Sequence, residues 1–223
     1  MKTRLLLGAS TILMLVALYM VFIYAPDTAP GSQTNVVQRI FYFHVPLAWI
    51  AFLAFFVVFI ASIMYLRKRD KKWDSIASAS AEIGLVFTTL FLATGSIWAK
   101  PEWGVWWTWD SRLTSSLILW LIYIAYFIVR SYISEEGQRA RFSSVIGIIG
   151  FIDVPIVVIT IFLWRTAHPR IEAMDPRVTA TLMVSIAAFT ALYFLLFVHR
   201  LAMKKDEDEL NRLKALSRGK KDG

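Results

Sequence analysis

Residues 44–66 read HVPLAWIAFLAFFVVFIASIMYL, with no Asp, Glu, Lys or Arg among them. At about 1.5 Å per residue, a helix of that length exceeds the roughly 30 Å hydrocarbon core of a bilayer. The segment reads as a membrane span. In lipid it has to be a helix, because every backbone N–H and C=O must be satisfied within the segment.

Working outward, five further apolar runs are long enough, or nearly so, to cross: residues 5–24, 79–99, 113–129, 142–164 and 178–198. The run 113–129 is the shortest and is expected to gain length from Arg130 snorkelling at its end. Composition agrees, with 57% hydrophobic residues, 18% charged and a mean hydropathy of +0.57. The fold class is therefore all-α: a polytopic integral membrane protein of six transmembrane helices. The apolar run of the first span exceeds the roughly 7–15 residues of a secretory signal core, so it is expected to be retained.

The net charge of +8 resembles a nucleic-acid signal until it is mapped. Of the 24 Lys and Arg, those at 2–4, 67–72, 130–141 and 200–221 fall on one side of the spans. Arg39, Lys100, Arg112, Arg165, Arg170 and Arg177 alone fall on the other. The positive-inside rule makes both termini cytoplasmic, with three loops facing outward, and points to membrane lipid and no nucleic acid as the chain's surroundings. Residues 1–200 form the transmembrane domain and 201–223 a charged cytoplasmic tail. Leu210, Leu213 and Leu216 make that tail either a solvated, frayed segment or a surface or partner-binding helix. There is no cysteine, so disulfides, thiolate metal sites and C-x-x-C-H haem attachment are excluded.

His44 starts the second span and His168 ends the fifth, both on the outer side, whereas His199 beside Arg200 faces the inner headgroups. Pro46 suits a helix first turn and Pro169 disfavours helical continuation from His168, so both outer histidines are expected at helix boundaries. Each alone is bland. As a pair on one face they suit the axial ligation of haem iron, whereas zinc would want a third or fourth ligand.

On the same side the loop WGVWWTWD, residues 103–110, holds four of the nine tryptophans. Trp103, Trp106, Trp107 and Asp110 stand at i, i+3, i+4 and i+7, which predicts a short surface helix with three indoles and a carboxylate on one face, beginning after Pro101. Two readings stay open for this loop, an interfacial aromatic belt and a platform for a flat apolar ligand of porphyrin shape. The belt accounts well for Trp49, Trp73 and Trp98, and extends to Trp120 and Trp164. Asp110 or Ser111 is read as an N-cap of the fourth span, a role that for Asp110 is compatible with lining a site. Arg112 and Arg165 are the nearest outward cations, available to carboxylates of a ligand or to Asp110 and Glu102. Asp153 lies near mid-membrane, where a carboxylate is expensive. It is either structural, beside Pro155 or against another subunit, or part of a proton or haem path. Glu82 is expected to reach water at the cytoplasmic interface.

Three runs carry a resemblance: FYFHVPLAW (41–49), AEIGLVFTTLFLATGSIWAKPEWGVWWTWDSRLTS (81–115) and PIVVITIFLWRTAHP (155–169). Together, over roughly residues 38–198, they resemble the haem exporter protein C (CcmC) family of cytochrome c maturation, whose hallmark is a tryptophan-rich, Asp-ended (WWD) outer loop. The resemblance implies a bacterial inner-membrane protein that binds haem b on its periplasmic side and presents it to a haem chaperone, CcmE. His44 and His168 match the family's axial histidines, and Trp103, Trp106, Trp107, Trp109 and Asp110 match its haem-contacting loop. The implied partners are an ABC-type ATPase, a second membrane subunit and a small single-span subunit.

No enzymatic activity is expected. Nothing resembles a base and nucleophile constellation, and no Gly-rich phosphate loop precedes a lysine. No polar stripe lines a route through the bilayer, so a haem held here is expected to arrive laterally from the membrane. The competing classes are a membrane b-type cytochrome for electron transfer and a haem-free channel or scaffold.

Overall fold

A computed structural model describes residues 2–26, 39–163 and 175–219 of the chain. Among them there is no strand, and six helices are long and apolar enough to cross a membrane. They are α1 (Lys2–Tyr19, closed by a π-helical turn Met20–Tyr24), α2 (Phe41–Lys68), α3 (Lys71–Trp103), α4 (Ser111–Tyr132), α5 (Glu136–Leu163) and α6 (Pro176–Gly219). All six apolar runs fall on these helices.

The α2 helix is the hub, packing on α3, α5 and α6, while α1 lies mainly against α6. Apolar attraction is weak between helices in lipid, so close packing depends on small side chains that let backbones approach. The first turns of α3 supply them: Ala77, Ser78, Ala79, Ser80 and Ala81 are all buried. Ser80 Oγ donates to the Ala54 carbonyl of α2 at 2.8 Å and sits 2.8 Å from the Tyr193 hydroxyl of α6, joining three helices. At Gly84 the approach is closer still, since a Cβ there would lie 2.6 Å from Phe55 Cε1. The other face of Phe55 stacks on Tyr123 of α4, with ring centroids 3.6 Å apart and planes 10° from parallel.

The helix ends sort by charge. At one end Arg130 makes a two-pronged pair with Asp74, at 2.6 and 2.9 Å, both side chains being largely buried. Arg130 therefore does not snorkel as expected, because Asp74 in the first turn of α3 offers it a carboxylate within the bundle. Glu82, a third of its side chain exposed, pairs with Arg200 and with Lys204, the latter at 2.8 Å. Lys71 reaches Glu136 at 2.6 Å and Asp208 at 3.0 Å. These pairs hold α6 to α3 and α5 where it leaves the apolar run, and Lys, Leu, Ala and Arg are good helix formers. The tail is accordingly one unbroken continuation of α6 through the expected boundary at Leu201, with Leu210, Leu213 and Leu216 exposed.

One further expectation changes. Trp120 lies ten residues into α4, too deep for an interfacial belt, and its indole N–H donates to Thr89 Oγ1 of α3 at 2.9 Å. Trp49 is tied similarly to Thr190 of α6 at 3.2 Å. An indole N–H facing hydrocarbon needs an acceptor, and there only the protein supplies one. Asp153 is buried within this chain, with Oδ2 lacking a partner among the described residues. The α5 helix continues through Pro155 without a break.

Two stability outcomes follow from this packing. Gly84→Ala should lower unfolding free energy in detergent by about 1–3 kcal/mol through overpacking. Gly8→Ala, where a Cβ meets nothing within 4 Å, should leave denaturation unchanged or slightly delayed. Asp74→Ala strands a buried guanidinium and should cost about 3–5 kcal/mol, whereas replacing Asp74 and Arg130 together by apolar residues should cost clearly less.

Candidate functional site

The end of the bundle opposite the ion pairs is built around the start of α2. A turn at Arg39 and Ile40 begins this helix at Phe41, with Tyr42 N–H donating to the Arg39 carbonyl at 3.2 Å and His44 N–H to the Ile40 carbonyl at 2.8 Å. His44 therefore lies in the first turn of α2, at the helix boundary as expected, and Pro46 lies in the second turn rather than the first. The Arg39 guanidinium donates to the Phe22 carbonyl at 3.2 Å and lies over the Phe22 ring, tying the end of α1 to this start. Val21, Ala25, Tyr42, Val178 and Leu182 close a small apolar cluster beside it.

The half-buried ring of His44 is gripped by one face of α3. Phe91 lies against it with centroids 4.7 Å apart, Nδ1 is 3.1 Å from Thr94 Oγ1, and a Cβ on Gly95 would come within 3.0 Å of Cε1. These three residues stand at i, i+3 and i+4, the spacing that stacks side chains on one helix face. Thr94 is about 13 Å along the helix axis from Trp103 at 1.5 Å per residue. His44 and the tryptophan loop thus share one end of the molecule.

The loop is not the predicted surface helix. Pro101 falls in the last turn of α3, which continues to Trp103. There Gly104 takes a left-handed conformation (φ 76°), its N–H donating to the Lys100 carbonyl at 3.0 Å. The Lys100 ammonium donates to the Gly104 carbonyl at 2.8 Å. This Gly-based C-cap ends the helix one residue after Trp103, so the i, i+3, i+4, i+7 face never forms. The indoles are arranged as two edge-to-face pairs instead. Trp98 meets Trp103 at 5.3 Å and Trp107 meets Trp109 at 6.0 Å. Trp106 and Trp109 stand out, 58% and 76% exposed.

Asp110 is the N-cap of α4. Its Oδ1 accepts from the N–H groups of Arg112 and Leu113 at 3.0 and 2.9 Å, and its Oδ2 accepts from the Thr108 hydroxyl at 3.0 Å. Arg112 follows with its side chain buried and its Nε without a partner among the described residues. Trp107 Nε1 is buried and unpartnered in the same sense. Trp107 also lines a groove of about 240 Å³ between α3 and α4, with Leu92, Ala93, Ser96, Leu117 and Trp120.

The remaining expected site residues, His168 and Arg165, lie outside the described residues, as does Trp164. His199 is exposed at the opposite end. Among the described residues no group of three or more His, Cys, Asp or Glu could hold a bare metal ion. Sequence reasoning missed Phe91, Thr94 and Gly95, whose signal was their spacing on the helix that precedes the tryptophan loop.

Comparison with known proteins bears on this arrangement. The profile of the family described as "Heme exporter protein C" matches residues 2–216. A "Heme exporter protein C" of Bradyrhizobium diazoefficiens is 35% identical over 208 residues, covering 90% of this chain and 77% of that protein. Those of Escherichia coli K12 and Rhodobacter capsulatus are 32% and 30% identical, covering 96% and 94% of this chain and 89% and 87% of theirs. With a histidine braced beside a tryptophan-rich loop at one end of a six-helix bundle, and a profile match over nearly its whole length, the chain belongs to the Heme exporter protein C family.

Proposed function

We propose that this protein holds haem b at the tryptophan-loop end of the bundle and presents it to a haem chaperone, CcmE, for cytochrome c maturation. The observation that carries the reading is the bracing of His44 against α3, which sets an imidazole at the end where that helix gives way to the indole loop. Family membership supports the haem-handling class. On this reading the basic end is cytoplasmic by the positive-inside rule, the loop end is periplasmic, and the membrane is a bacterial inner membrane.

The residues present fit a porphyrin. His44 would offer an imidazole to haem iron, and His168 is assigned as a second such ligand. Trp103, Trp106, Trp107 and Trp109 would offer flat apolar area at the same end of the bundle, Trp106 and Trp109 with little cover from the rest of the chain. The unpartnered Arg112 Nε and Trp107 Nε1 suit acceptor groups on a ligand edge, propionate carboxylates above all; Arg165 is assigned the same role. Haem, when bound, would supply an iron able to take imidazole ligands and a broad apolar face. The chain's part is to hold and orient, with Asp110 stiffening the loop by capping α4. It carries no catalytic step, and ATP hydrolysis belongs to the ABC-type ATPase that acts with a second membrane subunit and a small single-span subunit. The groove between α3 and α4 beside Trp107 supports lateral uptake from the outer leaflet. The competing reading is electron transfer by a membrane b-type cytochrome, whose histidine ligands usually come from within the helices of a bundle core rather than from a first turn.

The test is the Soret spectrum of the full chain purified with haem available, alone and with CcmE added. Wild type should show a haem band that passes to the chaperone, while His44→Ala and His168→Ala should each weaken or shift it. A spectrum indifferent to both substitutions refutes the site, and haem retained through rapid reduction by quinol favours electron transfer. Asp110→Ser preserves an N-cap whereas Asp110→Ala removes one at about 1 kcal/mol. If capping is the aspartate's whole role, the serine variant should bind haem as wild type does and the alanine variant should denature earlier.

A further inference from the structure

Three ring nitrogens in this bundle lie within hydrogen-bond distance of a threonine hydroxyl. Trp120 Nε1 donates to Thr89 Oγ1 at 2.9 Å, while Thr89 Oγ1 donates to the Leu85 carbonyl one turn back at 2.8 Å. Trp49 Nε1 donates to Thr190 Oγ1 at 3.2 Å, while Thr190 Oγ1 donates to the Ile186 carbonyl at 2.7 Å. An indole nitrogen is only a donor and a hydroxyl has one proton. In both pairs the threonine therefore spends its proton on its own helix and accepts from the ring.

The third pair is His44 and Thr94. Nδ1 and Oγ1 are 3.1 Å apart, and Thr94 Oγ1 has the same backbone acceptors available, the Leu90 carbonyl at 2.8 Å and the Phe91 carbonyl at 3.1 Å. Unlike indole, a neutral imidazole nitrogen can donate or accept, and the tautomer follows from the hydrogen bond its other nitrogen makes. We infer that Thr94 is a positioning residue that fixes His44 as the Nδ1–H tautomer, so that the lone pair of the ring lies on Nε2. The ring cannot easily turn away from this contact, since Phe91 lies over it and the bare Cα of Gly95 admits its Cε1 edge. Histidines that bind metals gain orientation and basicity from such a partner on the second nitrogen.

The tautomer assignment stands on this geometry alone; its consequence for iron binding rests on the haem-site reading given above. The experiment separates the two. The full chain, labelled with ¹⁵N-histidine and prepared without haem in nanodiscs, is observed by NMR at about pH 8, above the usual imidazole pKa of about 6.5. Only three histidines contribute, and His44 is assigned by the loss of its signals in His44→Ala. In wild type and in Thr94→Ser, Nδ1 should resonate as a protonated nitrogen and Nε2 as an unprotonated one. Thr94→Val, which keeps the shape but removes the acceptor, should move the proton to Nε2 or leave a mixture. A wild-type ring protonated on Nε2 or on both nitrogens, or a Thr94→Val ring unchanged from wild type, overturns the inference. Thr89→Val should leave the His44 signals in place, which shows that any change comes from the contact and not from loosening of α3.

Haem titration of the same variants reads the consequence. Thr94→Val should bind roughly 10–100-fold more weakly than wild type, the range found when an outer partner of a metal-binding histidine is lost, with Thr94→Ser close to wild type. If the tautomer behaves as stated but haem binding ignores His44→Ala, the haem-site reading fails and the tautomer assignment stands. If haem binding requires His44 while Thr94→Val binds as wild type does, the positioning role for iron fails.

Discussion

The approach of α2 to α3 is the constraint on which the rest of the molecule depends. Two helices in lipid gain little from burying apolar surface against each other, because hydrocarbon already surrounds them. What they gain is dispersion contact and a few internal hydrogen bonds, both steep in distance. The run of alanine and serine opening α3, followed by Gly84, lets the α2 backbone come close enough for Ser80 to reach the Ala54 carbonyl. Phe55 is then sandwiched between Gly84 and Tyr123, which brings in α4. Ten residues further along α3 from Gly84, the same register delivers Phe91, Thr94 and Gly95 to the ring of His44. The site is thus an extension of the hub contact.

The charged side chains at the basic end pair with one another: Asp74 with Arg130, Glu82 with Arg200 and Lys204, and Lys71 with Glu136 and Asp208. Buried donors without a partner among the described residues occur at both ends, Arg139 Nε at the basic end and Trp107 Nε1 and Arg112 Nε at the tryptophan end. A buried donor left unpaired costs free energy, and Trp107 also lines the groove between α3 and α4. The basic end reads as a clamp that holds α3, α4, α5 and α6 in register, and the opposite end as the working face.

Threonine serves as the recurrent connector. In an α-helix its hydroxyl is already occupied by the carbonyl one turn back, which leaves an oxygen lone pair aimed sideways at the neighbouring helix. Thr89, Thr94 and Thr190 each present that lone pair to a ring nitrogen. The device suits a bilayer, where no water can serve as acceptor.

Much of this was legible in the order of residues alone. Six spans, their alternation, the charged and tryptophan-rich ends, the family and the capping role of Asp110 all follow from hydropathy, charge placement and local motif. Those features depend on residues adjacent along the chain or on the bilayer itself. What the sequence could not settle depended on contacts between segments far apart in it. Arg130 was expected to reach outward and turns to Asp74, 56 residues away; Glu82 was placed at the cytoplasmic interface without its partner Arg200, 118 residues away. The helical face projected for Trp103, Trp106, Trp107 and Asp110 was undone by one glycine entering positive φ, where Gly104 and Lys100 close the end of α3. Thr94 looked like an ordinary helix residue, because only packing of α2 on α3 shows that its oxygen faces an imidazole. Local pattern determined where the chain crosses the membrane and which end carries the indoles. Tertiary structure alone decided which side chain meets which, because helix rotation and register in lipid are set by small-residue packing and internal hydrogen bonds, neither of which hydropathy records.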